Sequence, residues 1–387
     1  MKARILPAGN VANEAKSETR SIGVQAAVVH GPGKSRGALS RLQGRFETGV
    51  RESFDDGWAG QEETPAPPET IVTEERARAI IQRNESPDLP FELSINPYRG
   101  CEHGCIYCYA RPSHAYLELS PGIDFETRLF AKVNAVERLR EALAKPGYRP
   151  SPISLGANTD CYQPIERRYR ITRGLIELLA ECRHPLTIVT KSALVERDLD
   201  LLGPMGRDGL AKVFVSLGTL DPHLARRLEP RAASPQRRLD TIRALAREGV
   251  PVGAMLAPVV PALSDKSVEE SLAAAAAAGA SMAGYQLMRL PNELKDLFRE
   301  WLTAHYPLRA EHVMSVVQQL RGGRDNDPRF GTRMTGTGNY AELLARRFEI
   351  ACRRLGLNGE ERGTRPRREL DCSLFRPPSP PGQLQLF

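Results

Sequence analysis

The chain has 387 residues and a formal net charge of +7, which fits either a polyanionic partner or a solvated, arginine-rich surface. Hydrophobic residues make up 41% of it, enough for a substantial core, and the seven cysteines, odd in number and clustered, argue against a secreted disulfide framework. No apolar run approaches the length of a membrane span, and the N-terminus lacks the apolar region of a secretion signal, so we expect a cytoplasmic protein without membrane contact.

Residues 1–70 lack sustained hydrophobic periodicity and are rich in Gly, Ser, Glu and Pro, which predicts a largely disordered N-terminal extension. Three short stretches in it, which include a Phe and a Trp, predict a strap that docks on the main domain: residues 36–38, 45–47 and 55–58. Residues 63–69 contain three prolines and predict a linker. After the linker, Thr73 as an N-cap and Glu75 in the first turn predict a short helix over residues 73–83.

Residues 94–111 contain three of the seven cysteines within eight residues: Cys101, Cys105 and Cys108. The C-x3-C-x2-C run follows a short apolar strand predicted for residues 91–95, and it predicts a metal-binding loop with three protein ligands. A structural zinc site needs four closed ligands, of which His103 or His114 would supply the fourth; a reduced group of thiols without function is the other alternative. An iron–sulfur cubane bound by three cysteines leaves one iron open to bind another molecule.

Residues 134–144 repeat apolar positions at helical spacing, and beyond them strand-like and helical patterns alternate. The predicted strands are residues 152–155, 186–189, 212–217, 252–256 and 284–288. The predicted helices between them are residues 172–182, 196–202, 235–248 and 267–278. With the strand before the cysteines, this alternation gives six βα units and predicts an α/β fold, an open, partial (β/α)6 TIM-like barrel over residues 71–290. Sites in such barrels lie at the C-terminal ends of the strands, where the cysteine loop also lies.

Polar side chains follow several of the predicted strands, as a polar ligand would require: Thr159, Asp160, Lys191, Ser192, Ser216 and Arg289. A strand-end Ser or Thr often only caps the following helix, so each hydroxyl has that alternative role. Cys161, beside Asp160, is either a small buried cysteine or a thiol with a chemical function.

Beyond the barrel, residues 291–358 predict a helical extension, with amphipathic helices over residues 291–302, 311–320 and 340–355. The glycine-rich residues 327–339 predict the start of a helix, or a loop that contacts a substrate phosphate. Residues 359–387 are basic and then proline-rich, and they end in an apolar pentapeptide that contains Gln383, Leu384, Leu386 and Phe387. Exposed Leu and Phe on a free tail predict binding to a protein partner, unless the tail folds back onto the domain.

The cysteine loop resembles the signature of the radical S-adenosylmethionine (SAM) superfamily. The residues around the cysteines, Asn-Pro-Tyr-Arg-Gly-Cys and then Tyr-Cys-Tyr-Ala-Arg, resemble those of a largely uncharacterised branch of bacterial proteins related to spore photoproduct lyase. This branch is often described as DNA-repair-photolyase-like. The resemblance implies a [4Fe–4S] cluster on the three cysteines, whose open iron binds the amino and carboxylate groups of SAM, with Tyr107 beside the adenine. The strand-end residues would then serve the same cofactor: Thr159 and Asp160 its ammonium, Lys191 or Arg289 its carboxylate, and Ser192 or Ser216 its ribose. Cys161 would return a hydrogen atom to a product radical.

The function implied by the resemblance is reductive cleavage of SAM to a 5′-deoxyadenosyl radical that abstracts hydrogen from damaged DNA, in a repair lyase. A flavodoxin- or ferredoxin-type protein would donate the electron. The terminal pentapeptide resembles the motif by which bacterial replication and repair proteins bind the sliding clamp. Two alternatives are a radical SAM enzyme that modifies RNA, protein or a small molecule, and a non-catalytic metal-bearing adaptor recruited to the clamp.

Overall fold

The computed structural model describes residues 36–49, 68–359 and 369–378. Three features predicted above lie wholly or largely outside these residues: the disorder of the N-terminal extension, the docking of residues 55–58, and the clamp-binding pentapeptide with Gln383, Leu384, Leu386 and Phe387. Within the described residues, no helix is both long enough and apolar enough to cross a membrane.

Ten strands and eleven α-helices occur in the described residues. The strands are β1 Ile71–Glu75, β2 Gln82–Arg83, β3 Leu93–Ile95, β4 Tyr98–Arg99, β5 Arg128–Lys132, β6 Ile153–Leu155, β7 Leu186–Thr190, β8 Ala211–Ser216, β9 Val252–Val259 and β10 Met282–Leu287. The helices are α1 Asp124–Thr127, α2 Ala135–Leu143, α3 Glu166–Tyr169, α4 Ile171–Glu181, α5 Leu199–Arg207, α6 Pro222–Leu228, α7 Pro235–Arg247, α8 Val268–Ala277, α9 Leu294–His305, α10 Ala310–Gln319 and α11 Asn339–Leu355. Shorter 3-10 helices span Arg111–Leu117, Ala193–Asp198, Asp265–Ser267 and Pro307–Arg309.

The main sheet has seven strands in the order β10-β9-β8-β7-β6-β3-β2. The strands β3 and β6 to β10 are parallel, and each pairs with the next one along the chain. These are the six predicted strands, and the predicted partial barrel is confirmed. Among the described strands, β10 pairs with neither β2 nor β3, so the barrel is open between its first and last parallel strands.

Buried aliphatic side chains explain why the parallel strands form where they do. In β7 the residues Leu186, Ile188 and Thr190 are buried and alternate with half-buried ones, as expected for a strand in the middle of the sheet. Crossover helices with one apolar face, such as α4 and α7, cover the outside of the sheet. The C-terminal ends of all six parallel strands therefore lie at one end of the barrel.

The prediction of a helix over residues 73–83 is wrong. Its first part is the strand β1, which pairs in parallel with β5 in a second, three-stranded sheet of order β1-β5-β4. β-Branched residues at the start of β1 favour an extended backbone, and pairing with β5 satisfies its backbone groups, whereas an isolated helix this short is only marginally stable in water. The Asn134 side chain also accepts a hydrogen bond from Ala77 N–H and donates one to Ala77 C=O, which holds the chain extended after β1.

The predicted helices after the barrel are found as α9, α10 and α11. Helix α11 packs on α8, where Arg347 forms an ion pair with Glu269 at 2.7 Å. Residues 369–378 dock at the opposite end of the barrel, where Phe375 packs against Tyr148 and His184. There Arg376 N–H donates to Cys182 C=O at 2.8 Å, just before β7 begins. This short segment therefore lies at the N-terminal ends of the parallel strands.

Candidate active site

The cysteine loop between β4 and the 3-10 helix Arg111–Leu117 is built around one buried ion pair. The guanidinium of Arg111 is fully buried, pairs with the Glu126 carboxylate, and donates to the carbonyls of Cys105 and Gly104 at 2.9 and 3.2 Å. Gly104 has a φ of +67°, and a Cβ there would lie 2.6 Å from Glu126 Oε2. Only glycine lets the loop lie this close to the carboxylate.

Residues 36–49 dock behind the same loop, where the strap was predicted. Gly37 N–H and Ala38 N–H both donate to the Glu126 carboxylate, at 2.9 and 2.8 Å. A Cβ on Gly37 would lie 1.7 Å from Gly104 C=O, so the two backbones are in direct contact. One carboxylate thus joins the strap, the buried Arg111 and the cysteine loop.

A cavity of about 320 Å3 opens at the C-terminal ends of the parallel strands. Its wall includes the three cysteines and several strand-end residues: Cys101, Cys105, Cys108, His103, Tyr107, Tyr109, Thr159, Asp160, Lys191, Ser216, Gln286 and Arg289. Sites for small molecules and cofactors have volumes of roughly 300–1,000 Å3, so this cavity is large enough for a bound ligand. Within the described residues the predicted face of the barrel and the predicted cysteine loop meet in one place.

The three thiols are free and close to a positive charge. Burial raises the pKa of each of them, that of Cys105 to about 12, while the nearby Lys191 opposes the shift at Cys105 and Cys108. A coordinating metal removes the proton from a thiol outright, so the raised pKa belongs to the metal-free thiols.

Lys191 lies deep in the cavity beside two of the predicted cofactor residues. Its Nζ is 3.5 Å from Ser216 Oγ and 5.8 Å from the centre of the Tyr107 ring. Burial would lower the pKa of Lys191, but the neighbouring Cys105 and Glu229 outweigh burial and raise it. Lys191 therefore stays protonated at neutral pH and presents a shielded ammonium to a ligand.

Tyr107 is fixed by a buried network that the sequence did not reveal. Its hydroxyl donates to the Glu229 carboxylate, which also pairs with the buried Arg238. Arg238 in turn donates to Ser216 C=O at 3.0 Å, so the network ties the cysteine loop to the end of β8. Burial would raise the pKa of Glu229, but Arg238 and Lys191 outweigh burial and lower it, so the carboxylate is ionised.

Asp160 and Thr159 line the cavity, but the fold already uses most of their hydrogen-bonding capacity. Asp160 accepts from Thr190 Oγ1 and Lys191 N–H, both at 2.8 Å, and its Oδ2 is 3.2 Å from His103 Nδ1. Burial would raise the pKa of Asp160, but these neighbours outweigh it and lower the pKa to about 2. Thr159 Oγ1 donates to Tyr98 C=O at 2.8 Å, so it can offer a ligand only its lone pairs.

Two of the predicted site residues do not reach the cavity wall. Ser192 caps the following 3-10 helix by accepting from Leu194 N–H, which is the alternative role of a strand-end hydroxyl. Cys161 is fully buried in the main hydrophobic core with Leu155 and Tyr162, and burial raises the pKa of its thiol well above the usual range. A Cβ on Gly156, which lines the cavity, would lie 3.3 Å from Cys161 Sγ, so the thiol lies behind the cavity wall and does not form part of it.

Two further residues of the cavity wall, Tyr109 and Arg289, follow the cysteine loop and the last barrel strand. Tyr109, just after the third cysteine, donates its hydroxyl to Ala157 C=O. Arg289, after β10, has a hydrogen bond of 3.5 Å from Nη1 to Met334 Sδ. The glycine-rich segment that holds Met334 has an internal ion pair, Asp327 with Arg329 at 2.9 Å, and also accepts a hydrogen bond from Leu287 N–H at Met334 C=O.

Comparison with known proteins identifies the family. Residues 95–275, which include the cysteine loop and most of the barrel, match the family model described as the radical SAM superfamily. An uncharacterised protein of Mycobacterium tuberculosis (strain ATCC 25618 / H37Rv) is 36% identical over 283 residues, which cover 73% of this chain and 79% of that protein. A protein of Pseudomonas phage M6 named radical SAM Nalpha-GlyT isomerase is 28% identical over 173 residues, 44% of this chain and 34% of that protein.

Among solved structures, the fold is similar to that of spore photoproduct lyase. A single-site Tyr-to-Phe mutant of that enzyme superposes with a TM-score of 0.54 at 17% identity, over 74% of this chain and 80% of that one. A double mutant of the same enzyme, solved with bound AdoMet and dinucleoside spore photoproduct, gives a TM-score of 0.51 at 17% identity over the same shares.

The cofactors of this family are a [4Fe–4S] cluster and SAM, and the residues of the cavity fit both. Among the described residues, no three His, Cys, Asp or Glu side chains converge on one point, as ligands of a single metal ion do. A cubane does not require such convergence, because each cysteine binds a different iron. The zwitterionic methionine part of SAM needs charges of both signs, which Asp160 and Lys191 supply at the cavity wall.

The matched family model, the similarity to the mycobacterial protein and the position of the cysteines at the strand ends agree with one another. The expectation of a radical SAM enzyme on a partial barrel is therefore confirmed. This chain belongs to the radical SAM superfamily, and it shares its fold with spore photoproduct lyase.

Proposed function

We propose that this radical SAM enzyme acts on damaged DNA as a repair lyase. The observation that carries the proposal is the fold shared with spore photoproduct lyase over 74% of the chain, because one structure of that enzyme contains AdoMet and a lesion dinucleoside together. The net charge of +7 supports the same substrate, since phosphate neutralisation favours binding of nucleic acid to a basic protein.

In this proposal Cys101, Cys105 and Cys108 hold the cluster. The cluster and SAM, when bound, supply a carbon-centred radical that abstracts hydrogen from the substrate. The chain's own residues bind and shield these groups. Arg111 and Glu126 hold the cysteine loop in shape from behind, and the strap covers it on the side away from the cavity.

The assignment of the cofactor contacts follows from the charges along the wall. We assign the Lys191 ammonium to the SAM carboxylate. We assign the ionised Asp160, through its remaining lone pairs, to the SAM amino group. Ser216 lies beside Lys191 and is assigned to the ribose, while Tyr107, held by Glu229, presents its ring to the adenine. Ser192 and Cys161 are left out of the assignment because neither lines the cavity.

We propose two protein partners as well. A flavodoxin- or ferredoxin-type protein delivers the electron, and the tail residues Gln383, Leu384, Leu386 and Phe387 bind a bacterial sliding clamp. For the tail, replacing Leu386 and Phe387 by Ala should abolish retention on an immobilised clamp. Unchanged retention would remove the tail as an argument for DNA.

The test of the proposed function is anaerobic reconstitution followed by assays with irradiated and undamaged DNA. We expect 5′-deoxyadenosine to form under reducing conditions and a photolesion to disappear from irradiated DNA, as measured by mass spectrometry of the digested DNA. The triple variant in which Cys101, Cys105 and Cys108 are replaced by Ala is the control for background chemistry. Formation of 5′-deoxyadenosine with no change in any lesion would reject the DNA-repair proposal and leave the enzyme class intact.

A second candidate is an isomerase. The relative from Pseudomonas phage M6 carries that name, and its similarity covers 44% of this chain. The same mass spectrometry distinguishes the two. After repair of a photodimer, digestion yields two separate nucleosides in place of one covalently joined dinucleoside, whereas an isomerase gives a product of unchanged mass and altered retention.

A further inference from the structure

Arg289 is a cation in the cavity wall without a carboxylate partner among the described residues. Among the described residues, its side chain makes one hydrogen bond, from Nη1 to the thioether sulfur of Met334 at 3.5 Å. Sulfur is a weak acceptor. Its Nε is buried and has no partner at all in the described structure. Burial and the nearby Arg333 lower the pKa of Arg289, which reports the same deficit of negative charge.

Arg333 and Arg329 differ from Arg289 because each pairs with a carboxylate, and Arg321, whose Nε is likewise unpartnered, differs in having several backbone acceptors. Arg333 pairs with Asp88 at 2.5 Å, and Arg329 pairs with Asp327 at 2.9 Å. Arg321 is buried but donates to four backbone carbonyls, including that of Met288 at 2.6 Å. A partly buried guanidinium without an acceptor is costly, so the position calls for an anion supplied from outside the described chain.

Lys191 and Arg289 lie in different surroundings within the wall. Lys191 interacts electrostatically with the Cys105 and Cys108 thiols and lies beside Ser216. The charged or polar neighbours that affect Arg289 are Arg333, Tyr109 and Asp88. Arg333 and Asp88 lie at the barrel opening, whereas Tyr109 follows Cys108 and interacts with both Lys191 and Arg289. Lys191, which interacts with two of the three cysteines, would be the cation for a SAM carboxylate bound at the cluster. Arg289 would then remain for another ligand.

We propose that Arg289 binds a phosphate group of the substrate. In terms of the proposed function, on which this inference rests, that group is a backbone phosphodiester of DNA next to the reacting nucleotide. The planar guanidinium presents paired N–H donors that match two phosphate oxygens, and the low polarity of its surroundings strengthens such charge-assisted bonds. Arg289 is then a substrate-positioning residue at the rim, while Lys191 serves the cofactor.

The test uses the full-length, anaerobically reconstituted protein and equilibrium dialysis in the presence of SAM. The two probes are a dinucleoside monophosphate and its uncharged methylphosphonate analogue. We expect R289Q to bind the phosphodiester about tenfold more weakly than the unmodified protein and the methylphosphonate with unchanged affinity. R289K, which keeps the charge but not the planar fork, should recover part of the loss.

The matched control is R329Q, which removes the same charge from an exposed arginine of the neighbouring loop, 69% exposed in its side chain. It should change the affinity for either probe by less than about twofold. Dialysis with labelled SAM gives the second readout, in which R289Q should bind SAM as the unmodified protein does. An equal loss for both dinucleosides, or a loss of SAM affinity as large as that for the phosphodiester, would overturn the assignment.

Inorganic phosphate separates this inference from the proposed function. In one outcome, the unmodified protein and R329Q bind phosphate, R289Q does not, and none of the three binds a dinucleoside. The anion site is then supported, and the proposal of a DNA substrate is rejected. If phosphate and the phosphodiester bind equally to R289Q and the unmodified protein, or to neither, the anion site itself is refuted.

Discussion

Arg333, in the segment after the last barrel strand, forms an ion pair of 2.5 Å with Asp88, in the loop before the first barrel strand. Asp88 also accepts from Gly331 N–H at 2.7 Å. The open side of the barrel, between β3 and β10, is thus closed by side chains where no pairing among the described strands closes it. Leu89, Pro90 and Phe91, which follow Asp88, line the cavity, so this contact also shapes the ligand site.

Replacing Asp88 by Asn should loosen the closure. The Gly331 N–H and the Arg333 guanidinium hold the pKa of Asp88 below its usual value, so the folded state binds the ionised form. This stabilisation is present above the pKa of the unfolded Asp and is lost as the pH falls below about 4. We expect D88N to show faster hydrogen exchange in residues 84–91 and 327–338 at neutral pH and to lack this acid dependence. Equal exchange in D88N and the unmodified protein would contradict the role of the pair.

The buried network under Tyr107 should contribute strongly to stability. In E229Q the buried Arg238 loses its counter-ion, and breaking a buried pair from one side costs about 3–5 kcal/mol. The matched control is E269Q. Its pair with Arg347 is only partly buried, with side chains 31% and 43% exposed, and its loss should cost less than about 1 kcal/mol. Anaerobic denaturant unfolding of the reduced apoprotein gives both values. A similar cost for the two variants would show that the network is not the buried, coupled unit described above.

Replacing Gly37 by Ala should disturb the contact between the strap and the cysteine loop, whereas replacing Gly49 by Ala should not. In G37A the new Cβ would overlap Gly104 C=O, so the variant should lose about 1–3 kcal/mol of stability or release the strap from the cysteine loop. Gly49 has open space around its Cβ position, and G49A should behave as the unmodified protein. The measurements are iron and sulfide per chain after reconstitution and hydrogen exchange of residues 100–108. If G37A incorporates the cluster as well as G49A does, the strap is not needed to shape the loop.

A series of single cysteine substitutions should distinguish the cluster ligands from Cys161. C101A, C105A and C108A should each lose the iron–sulfur absorption and most of the bound iron, because each thiol binds its own iron. C161A should keep both, since Cys161 lies in the core and does not reach the cavity. Iron and acid-labile sulfide are measured after anaerobic reconstitution of each protein. Loss of the cluster in C161A would place that thiol among the ligands instead.

The cysteine loop and the order of the barrel strands could be predicted because both depend on local patterns. A ligand spacing and an alternation of apolar runs are visible within a few tens of residues. The strand β1 was missed because its partner β5 lies much later in the chain, and the β-branched residues of so short a segment do not establish a strand until the two pair.

The contacts that complete the site could not be predicted for a similar reason. Tyr107 and Glu229 are 122 residues apart, and nothing in the sequence around either one indicates the other. Ser192 and Cys161 show a second limit: a position at a strand end gives the face of the barrel but not the direction of the side chain. Ser192 caps the following 3-10 helix, and Cys161 is buried in the hydrophobic core.

The docked segment 369–378 determines from which side of the barrel the tail continues. Asp371 N–H donates to Gly209 C=O just before β8, so the segment is fastened at the pole of the barrel opposite the cavity. The nine residues that follow Pro378 span at most about 30 Å when extended. If the tail binds a ring-shaped partner as proposed, the last fastened segment before the binding residues lies at this pole, opposite the mouth of the cavity. The chain that leads to the partner and the opening that admits the substrate would then start from opposite ends of the barrel.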